Sequence, residues 1–209
     1  MSKSKLKIIE VNIWSDIACP WCYVGETIFK KSIIQFNQIY PEIKVIPIFH
    51  AYIIDPGTKT EGEDYLSYNK RRWGSDNWTK HLRAMGQKYG ADFKNWKFWP
   101  NTLLAHQLIL KGKLNNKSEE ILKECFLLTY EKGENVSLES VINKLGNKFN
   151  ISDWNNKNVE KEVLEEDMIA KDNYGIGGVP LFKFEDGSVL EGAQDPKVFE
   201  HVLNKNLKK

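Results

Sequence analysis

The apolar residues of the first fifty positions change period twice, and that change limits the folds open to the chain. In residues 6–14, LKIIEVNIW, Ile9, Val11 and Ile13 alternate with Glu10 and Asn12, the two-residue period of a half-buried strand. Ser15 and Asp16 break the run. From Trp21 to Tyr40 the period becomes helical: Phe29, Ile33, Phe36 and Tyr40 fall at i, i+4, i+7 and i+11, and Pro41 closes the helix. Residues 43–50, IKVIPIFH, return to a strand pattern, with Pro47 marking an edge or a bulge.

From about Gly57 to Tyr174 the pattern is mostly helical. Leu103, Leu104, Leu108 and Leu110 belong to one helix, and Ile121 to Leu128 to another that ends near Gly133. Val141, Ile142 and Leu145 suggest a third, and Val159, Val163 and Ala170 a fourth. The end returns to strands. Leu181, Phe182 and Phe184 lead into Asp186-Gly187, a hairpin signal, then Ser188, Val189 and Leu190, before a helix carrying Val198, Phe199, Val202 and Leu203. The order βαβ, helical block, ββα predicts an α/β protein: a thioredoxin fold with a large all-helical insertion. Residues 1–56 and 174–209 are expected to form the thioredoxin-like domain, and 57–173 the helical insertion domain.

Composition narrows the partners. With 41% hydrophobic and 28% charged residues among 209, the chain fits a soluble globular protein. Its net charge of +2 is too small for the concentrated basic face of a nucleic-acid binder. The lysines at 205, 208 and 209 read as a solvated end. No stretch approaches the ~20 apolar residues that span a bilayer. The N-terminal MSKSKLKIIEVNIW lacks the continuous apolar region of a secretory signal, so a cytoplasmic location is expected. The sequons at Asn77, Asn116, Asn135 and Asn150 are then chance matches in an Asn-rich chain. Three cysteines are too few, and odd, for a disulfide scaffold.

Two of those cysteines form Cys19-Pro20-Trp21-Cys22, at the point where the first strand gives way to the first helix. In a reducing compartment such a pair points to redox or metal chemistry. Unpaired N–H groups and the positive dipole end of a helix N-terminus favour an anion. Cys19 is therefore expected to be the exposed, activated nucleophile. Cys22, one turn on, lies within the ~5–6 Å that lets the pair close a disulfide. Pro20 suits the first turn, where its missing N–H would be unpaired anyway. A zinc site would need two more ligands. The candidates are Cys125, His50, His81, His106 and His201, without a second Cys-x-x-Cys or a His-x-x-x-His, so the expectation is redox chemistry and no metal. Cys125 sits on an apolar helical face and reads as core packing. Gly177-Gly178-Val179-Pro180 opens a strand. A cis peptide before Pro180 would offer the Val179 backbone to an incoming extended chain, while a plain Gly/Pro turn is the simpler reading of the same residues.

The segment SDIACPWCYVG, residues 15–25, resembles the active-site segment of the FrnE-like branch of the DsbA family. The likeness continues through GEDYLSYNKRRWG at 62–74, WPNTLLAHQLI at 99–109, YGIGGVPLFKF at 174–184 and EGAQ at 191–194. It implies a thiol–disulfide oxidoreductase in which Cys19 attacks and Cys22 resolves. It also implies that Pro180 is cis and faces the pair, and that Asp16, Asn101 and His106 lie near the active site. Asp16 reads equally as a turn or cap residue, and His106 as a hydrogen-bonded core histidine. Partners on this reading are protein thiols and disulfides or glutathione as a co-substrate, with no bound cofactor. Kappa-class glutathione transferases and 2-hydroxychromene-2-carboxylate isomerases are similar in architecture but carry serine where Cys19 stands. A glutathione-dependent transferase or isomerase is thus the alternative function. Extra C-terminal cysteines found in some FrnE-type proteins have no counterpart after Cys125.

Overall fold

The alternation at the start of the chain becomes the central strand of a mixed sheet. In a computed structural model that describes residues 7–207, β1 spans Lys7–Ser15, α1 Pro20–Ile39 and β2 Ile43–Ala51. Leu6, where the first strand was expected to begin, and the tail residues Lys208 and Lys209 lie outside the described residues. β1 pairs in parallel with β2, so that Ile13 faces Phe49, and antiparallel with β5 (Leu181–Phe184), so that Ile13 also faces Phe182. β6 (Val189–Glu191) completes the order β2-β1-β5-β6. Pro47 therefore sits on an edge strand, where its missing N–H breaks no ladder. The β5–β6 hairpin turns at Gly187, whose φ of 86° is the left-handed conformation that glycine adopts without penalty. Asp186 Oδ1 accepts from the Ser188 N–H at 2.8 Å to tighten that turn.

α1 buries more than the stripe Phe29, Ile33, Phe36 and Tyr40. Phe29 and Phe36 are buried, Ile33 and Tyr40 only in part, while Val24, Ile28 and Ser32 are buried as well. The reason is that α1 is covered on two sides. Towards the sheet, Phe29 meets Phe182 at 5.2 Å and Phe199 of the C-terminal helix α8 (Pro196–Asn206) at 5.1 Å between ring centroids. Towards the helical block, Tyr23 stacks on Phe126 at 5.2 Å and on Tyr130 at 5.7 Å. One apolar cluster consequently runs from the sheet through α1 into the helices.

The block comprises α2 (Tyr65–Trp73), α3 (Thr79–Tyr89), α4 (Leu103–Lys113), α5 (Ser118–Phe126), α6 (Glu139–Lys148) and α7 (Lys157–Met168). It also holds a two-residue ladder, β3 (Glu63–Asp64) with β4 (Phe98–Trp99), within the stretch that reads as all-helical. Two helices differ from their periodicity. α5 continues as a wider π turn over Leu127–Lys132, closed by Gly133, and α7 as another over Ile169–Asn173, which contains Ala170. Among the described residues no helix is long and apolar enough to cross a membrane.

Carboxylates on α7 fasten it to the end of β2. Glu166 Oε2 accepts from the Ala51 N–H at 2.9 Å, and Asp167 Oδ1 from the Ile53 N–H at 2.7 Å. Lys113 of α4 reaches Glu166 Oε1 at 2.6 Å. Burial pushes the Glu166 carboxyl up, but His50, the Lys113 charge and the Ala51 N–H outweigh it and hold it at about 2. A carboxylate held below its unfolded value stabilises the fold above pH ~4.3 and loses that contribution as pH falls towards 2. Allowing for the exposed part of the side chain, Glu166→Gln should cost about 2 kcal/mol at pH 7. Urea unfolding should show the gap from the parent closing between about pH 4.5 and pH 2; a gap that stays constant with pH would contradict the assignment.

Candidate active site

The strand-to-helix junction places both cysteines where β1 ends. The Cys19 N–H donates to Asp16 O at 3.1 Å, closing a turn, and Cys19 becomes the N-cap of α1 with Pro20 at the first helical position. Cys22 lies one turn in, its N–H donating to Cys19 O at 2.9 Å, and both are free thiols. The Val179–Pro180 peptide bond is cis, and the Cys19 thiol donates to Val179 O at 3.4 Å. Cys19 differs from the exposed thiol expected of it: the residue is only 3% accessible. The Val179–Pro180 segment lies over it. Trp21, between the cysteines, is half-buried, with its ring 5.9 Å from that of His81.

That segment can approach α1 because position 25 is glycine. A Cβ on Gly25 would stand 2.9 Å from Pro180 Cγ and 3.6 Å from Ala193 Cβ. The loop before Pro180 is itself tied down. The Ile176 N–H donates to Ala170 O at 3.0 Å and the Tyr52 hydroxyl to Ile176 O at 3.2 Å, while the Gly192 N–H donates to Pro180 O at 2.8 Å. Beside it runs a cleft of about 300 Å³ lined by Trp14, Tyr174, Gly177, Gly178, Leu181 and Val189.

Asp16 turns out to be both a turn residue and a member of the site. Its Oδ1 accepts from the Ala18 N–H at 3.3 Å and its Oδ2 from the Ile54 N–H at 2.8 Å. His106 Nε2 lies 3.2 Å from Oδ1, and this pair is buried. A carboxylate taken out of water needs such a set of donors. The Asp16 N–H donates in turn to Cys22 Sγ at 3.5 Å. Asn101 is engaged elsewhere. Its amide donates to Thr58 O at 3.1 Å and its Oδ1 accepts from the Leu103 N–H at 3.2 Å, at the start of α4. The Asn101 side chain thus hydrogen-bonds to backbone, and the Asn101 N–H donates to the Ser137 hydroxyl at 2.8 Å.

Burial, then the hydrogen bond and charge of Cys19, push the Cys22 thiol well above the ordinary range, and the Asp16 N–H and the Ser15 hydroxyl offset part of this. Cys125 is fully enclosed in the core, and burial pushes its thiol up as well. Tyr130, in the π turn after α5, donates to Ile17 O at 2.8 Å. Burial, with the negative charges of Cys19, Asp16 and Cys22 when ionised, holds its phenol well above the ordinary range, so it remains a donor. Among the described residues no three His, Cys, Asp or Glu side chains gather as a metal-binding cluster.

Sequence reasoning missed Gly25, Ser15, Tyr130 and the part His50 plays beside Glu166. Only Gly25 carried a usable local signal. A glycine inside a helix costs ~1 kcal/mol relative to alanine and implies a packing reason.

The sequence profile of the DSBA-like thioredoxin domain matches residues 10–204. The Bacillus subtilis protein YwbO is 23% identical over 216 residues, covering 96% of this chain and 98% of that one. The crystal structure of probable DsbA oxidoreductase SCO1869 from Streptomyces coelicolor superimposes with a TM-score of 0.80 at 22% identity, covering 96% and 91% of the two chains. The cytosolic disulfide reductase DsbM from Pseudomonas aeruginosa, determined with GSH, gives 0.68 at 14% identity, covering 96% and 100%. At these identities the likeness to the solved structures is one of fold.

Gly25→Ala tests the close approach of helix and loop. Helix propensity alone would stabilise the variant by about 1 kcal/mol. The contact with Pro180 should reverse that sign, for a net loss of roughly 1–3 kcal/mol in urea unfolding. A raised midpoint would mean that the loop is free to yield.

Proposed function

Because the chain belongs to the DSBA-like thioredoxin-domain family, we propose that it exchanges thiols and disulfides through Cys19 and Cys22. The observation that carries this reading is the arrangement of three groups. Cys19 caps α1 and faces the Val179 carbonyl beside cis-Pro180, while Cys22 waits one turn inside. An attacking thiol needs anion-stabilising surroundings at a helix start, and a resolving thiol needs to stay protonated until it is used. Burial gives Cys22 the second property.

In the reducing direction the Cys19 thiolate attacks one sulfur of a substrate disulfide. A bond forms between Cys19 and that sulfur, the substrate disulfide breaks, and the other sulfur leaves as a thiolate that takes up a proton. Cys22 then attacks Cys19, forming the Cys19–Cys22 disulfide and releasing the second substrate thiol. Oxidation of a substrate dithiol runs through the same mixed disulfide in reverse. An extended substrate would pair with the Val179 backbone as an added strand, displacing the Cys19 thiol from the carbonyl it now contacts. Trp21, and the pair formed by Asp16 and His106, shape the two sides of this centre.

Protein disulfides or glutathione are the proposed substrates, with a cytoplasmic site of action and no resident cofactor. The Pseudomonas aeruginosa relative, a cytosolic disulfide reductase determined with GSH, supports both proposals. The residues quoted for the FrnE-like branch support that finer placement within the family.

Insulin reduction and adduct trapping test the division of labour. Cys22→Ser should accumulate a covalent adduct with oxidised glutathione, because release is blocked. Cys19→Ser should form few adducts, and both variants should lose turnover by at least about a hundredfold. Adducts that accumulate on Cys19→Ser rather than on Cys22→Ser would reverse the assigned roles.

A further inference from the structure

On the exchange reading above, Cys22 attacks as a thiolate, and a fully buried sulfur is an unfavourable place for that charge. A backbone donor is set against it: the Asp16 N–H donates to Cys22 Sγ at 3.5 Å. Burial pushes the thiol up, and this N–H offsets part of the rise. The Asp16 carboxylate is turned elsewhere. Its Oδ1 accepts from the Ala18 N–H at 3.3 Å and its Oδ2 from the Ile54 N–H at 2.8 Å. Asp16 therefore meets Cys22 through its backbone and not as an acid.

What aims this N–H is a clamp on the turn that carries it, and two of its parts come from the helical block. His106 Nε2 on α4 lies 3.2 Å from Asp16 Oδ1. A carboxylate oxygen only accepts, so Nε2 is the donor. Tyr130, in the π turn after α5, donates to Ile17 O at 2.8 Å. Asp16 O is held in turn by the Cys19 N–H at 3.1 Å. Both His106 and Tyr130 are buried, so water does not compete for these bonds. The described side-chain hydrogen bonds of the two residues go to the turn and not to a sulfur.

We propose that His106 and Tyr130 are positioning residues for the resolving step: by fixing the turn at Asp16 and Ile17, they hold the Asp16 N–H against the Cys22 sulfur, where it stabilises the attacking thiolate. In that step the Cys22–Cys19 bond forms as the Cys19–substrate bond breaks, and the electron pair of the broken bond leaves on the substrate sulfur. The proton that Cys22 gives up is balanced by the one the departing sulfur takes up. The titratable groups facing Cys22 are Cys19, Asp16, Tyr52 and Tyr130, with His106 behind Asp16. Burial holds the Tyr130 phenol protonated, so replacing it by Phe takes away a donor and no charge, and leaves a ring to stack on Tyr23.

The test is a single turnover of the reduced full-length protein with oxidised glutathione, quenched in acid and followed by mass spectrometry across the neutral pH range. Formation of the Cys19–glutathione adduct reports attack, and its decay reports resolution. In Tyr130→Phe and in His106→Leu, decay at pH 7 should slow about fivefold or more beyond any slowing of formation, the scale of one hydrogen bond to a charged group. The decay profile should also move to higher pH, because a less stabilised thiolate forms at higher pH. His106→Gln, which places an amide N–H where Nε2 stands, should restore most of the decay rate. Tyr130→Phe carries the test if His106→Leu does not fold. Parental decay in either Tyr130→Phe or His106→Leu, equal slowing of formation and decay, or slowing in His106→Gln as deep as in His106→Leu would overturn the proposal. A parent protein that forms no adduct at Cys19 would instead overturn the exchange reading on which it rests.

Discussion

The structure depends on one close approach, that of the first turns of α1 to the Val179–Pro180 segment. Gly25 leaves room for Pro180, and Val179 then presents its carbonyl to the Cys19 thiol at 3.4 Å. A side chain at position 25 would hold the two apart. The contact joins residues about 160 positions apart and makes one site from two ends of the chain. It also explains why Cys19 is covered in the resting structure: the group that shields the sulfur is the backbone with which an extended substrate would pair.

The helical block contributes to that site rather than merely lying beside it. His106 of α4 lies 3.2 Å from Asp16, which orders the turn before Cys19 and directs its own N–H at Cys22. Tyr130 holds the Ile17 carbonyl from a π turn, and Ala170 in the second π turn accepts from Ile176 in the loop that leads to Pro180. Both helical irregularities thus fall where the block touches the active site, a placement common for π turns. Buried polar groups of this kind cost free energy unless each is satisfied, and here the partners come from the turn after β1, the segment after β2, and α4 together. Disturbing the block should therefore reach the thiols through Asp16 and Ile17 before it reaches them through apolar packing.

What could be read in advance was whatever depends on neighbours along the chain. The alternation of Ile9, Val11 and Ile13, the stop at Pro41, the Asp186-Gly187 turn and the cysteines at a strand-to-helix junction are local patterns, and each appears in the structure where the sequence put it. Features set by distant contacts were not legible. Cys19 reads as exposed from its place at a helix start, but Val179 covers it. Leu127 to Lys132 continue an apolar helical pattern, and nothing local signals the wider turn. Asn101, placed near the site by resemblance, directs its amide to the backbone of Thr58 and Leu103. Ser15 reads as a strand terminator, and its buried hydroxyl, without a hydrogen-bond partner among the described residues, becomes visible only in the folded structure.

The central claim is a reversible disulfide between Cys19 and Cys22. A redox titration against defined ratios of reduced to oxidised glutathione, with alkylation and peptide mapping at each point, tests it most directly. The account predicts one two-electron transition, in which Cys19 and Cys22 become protected together in a single peptide and Cys125 stays reduced throughout. Stable glutathionylation of Cys19 with Cys22 left free would contradict it, and would point instead to chemistry that uses one thiol.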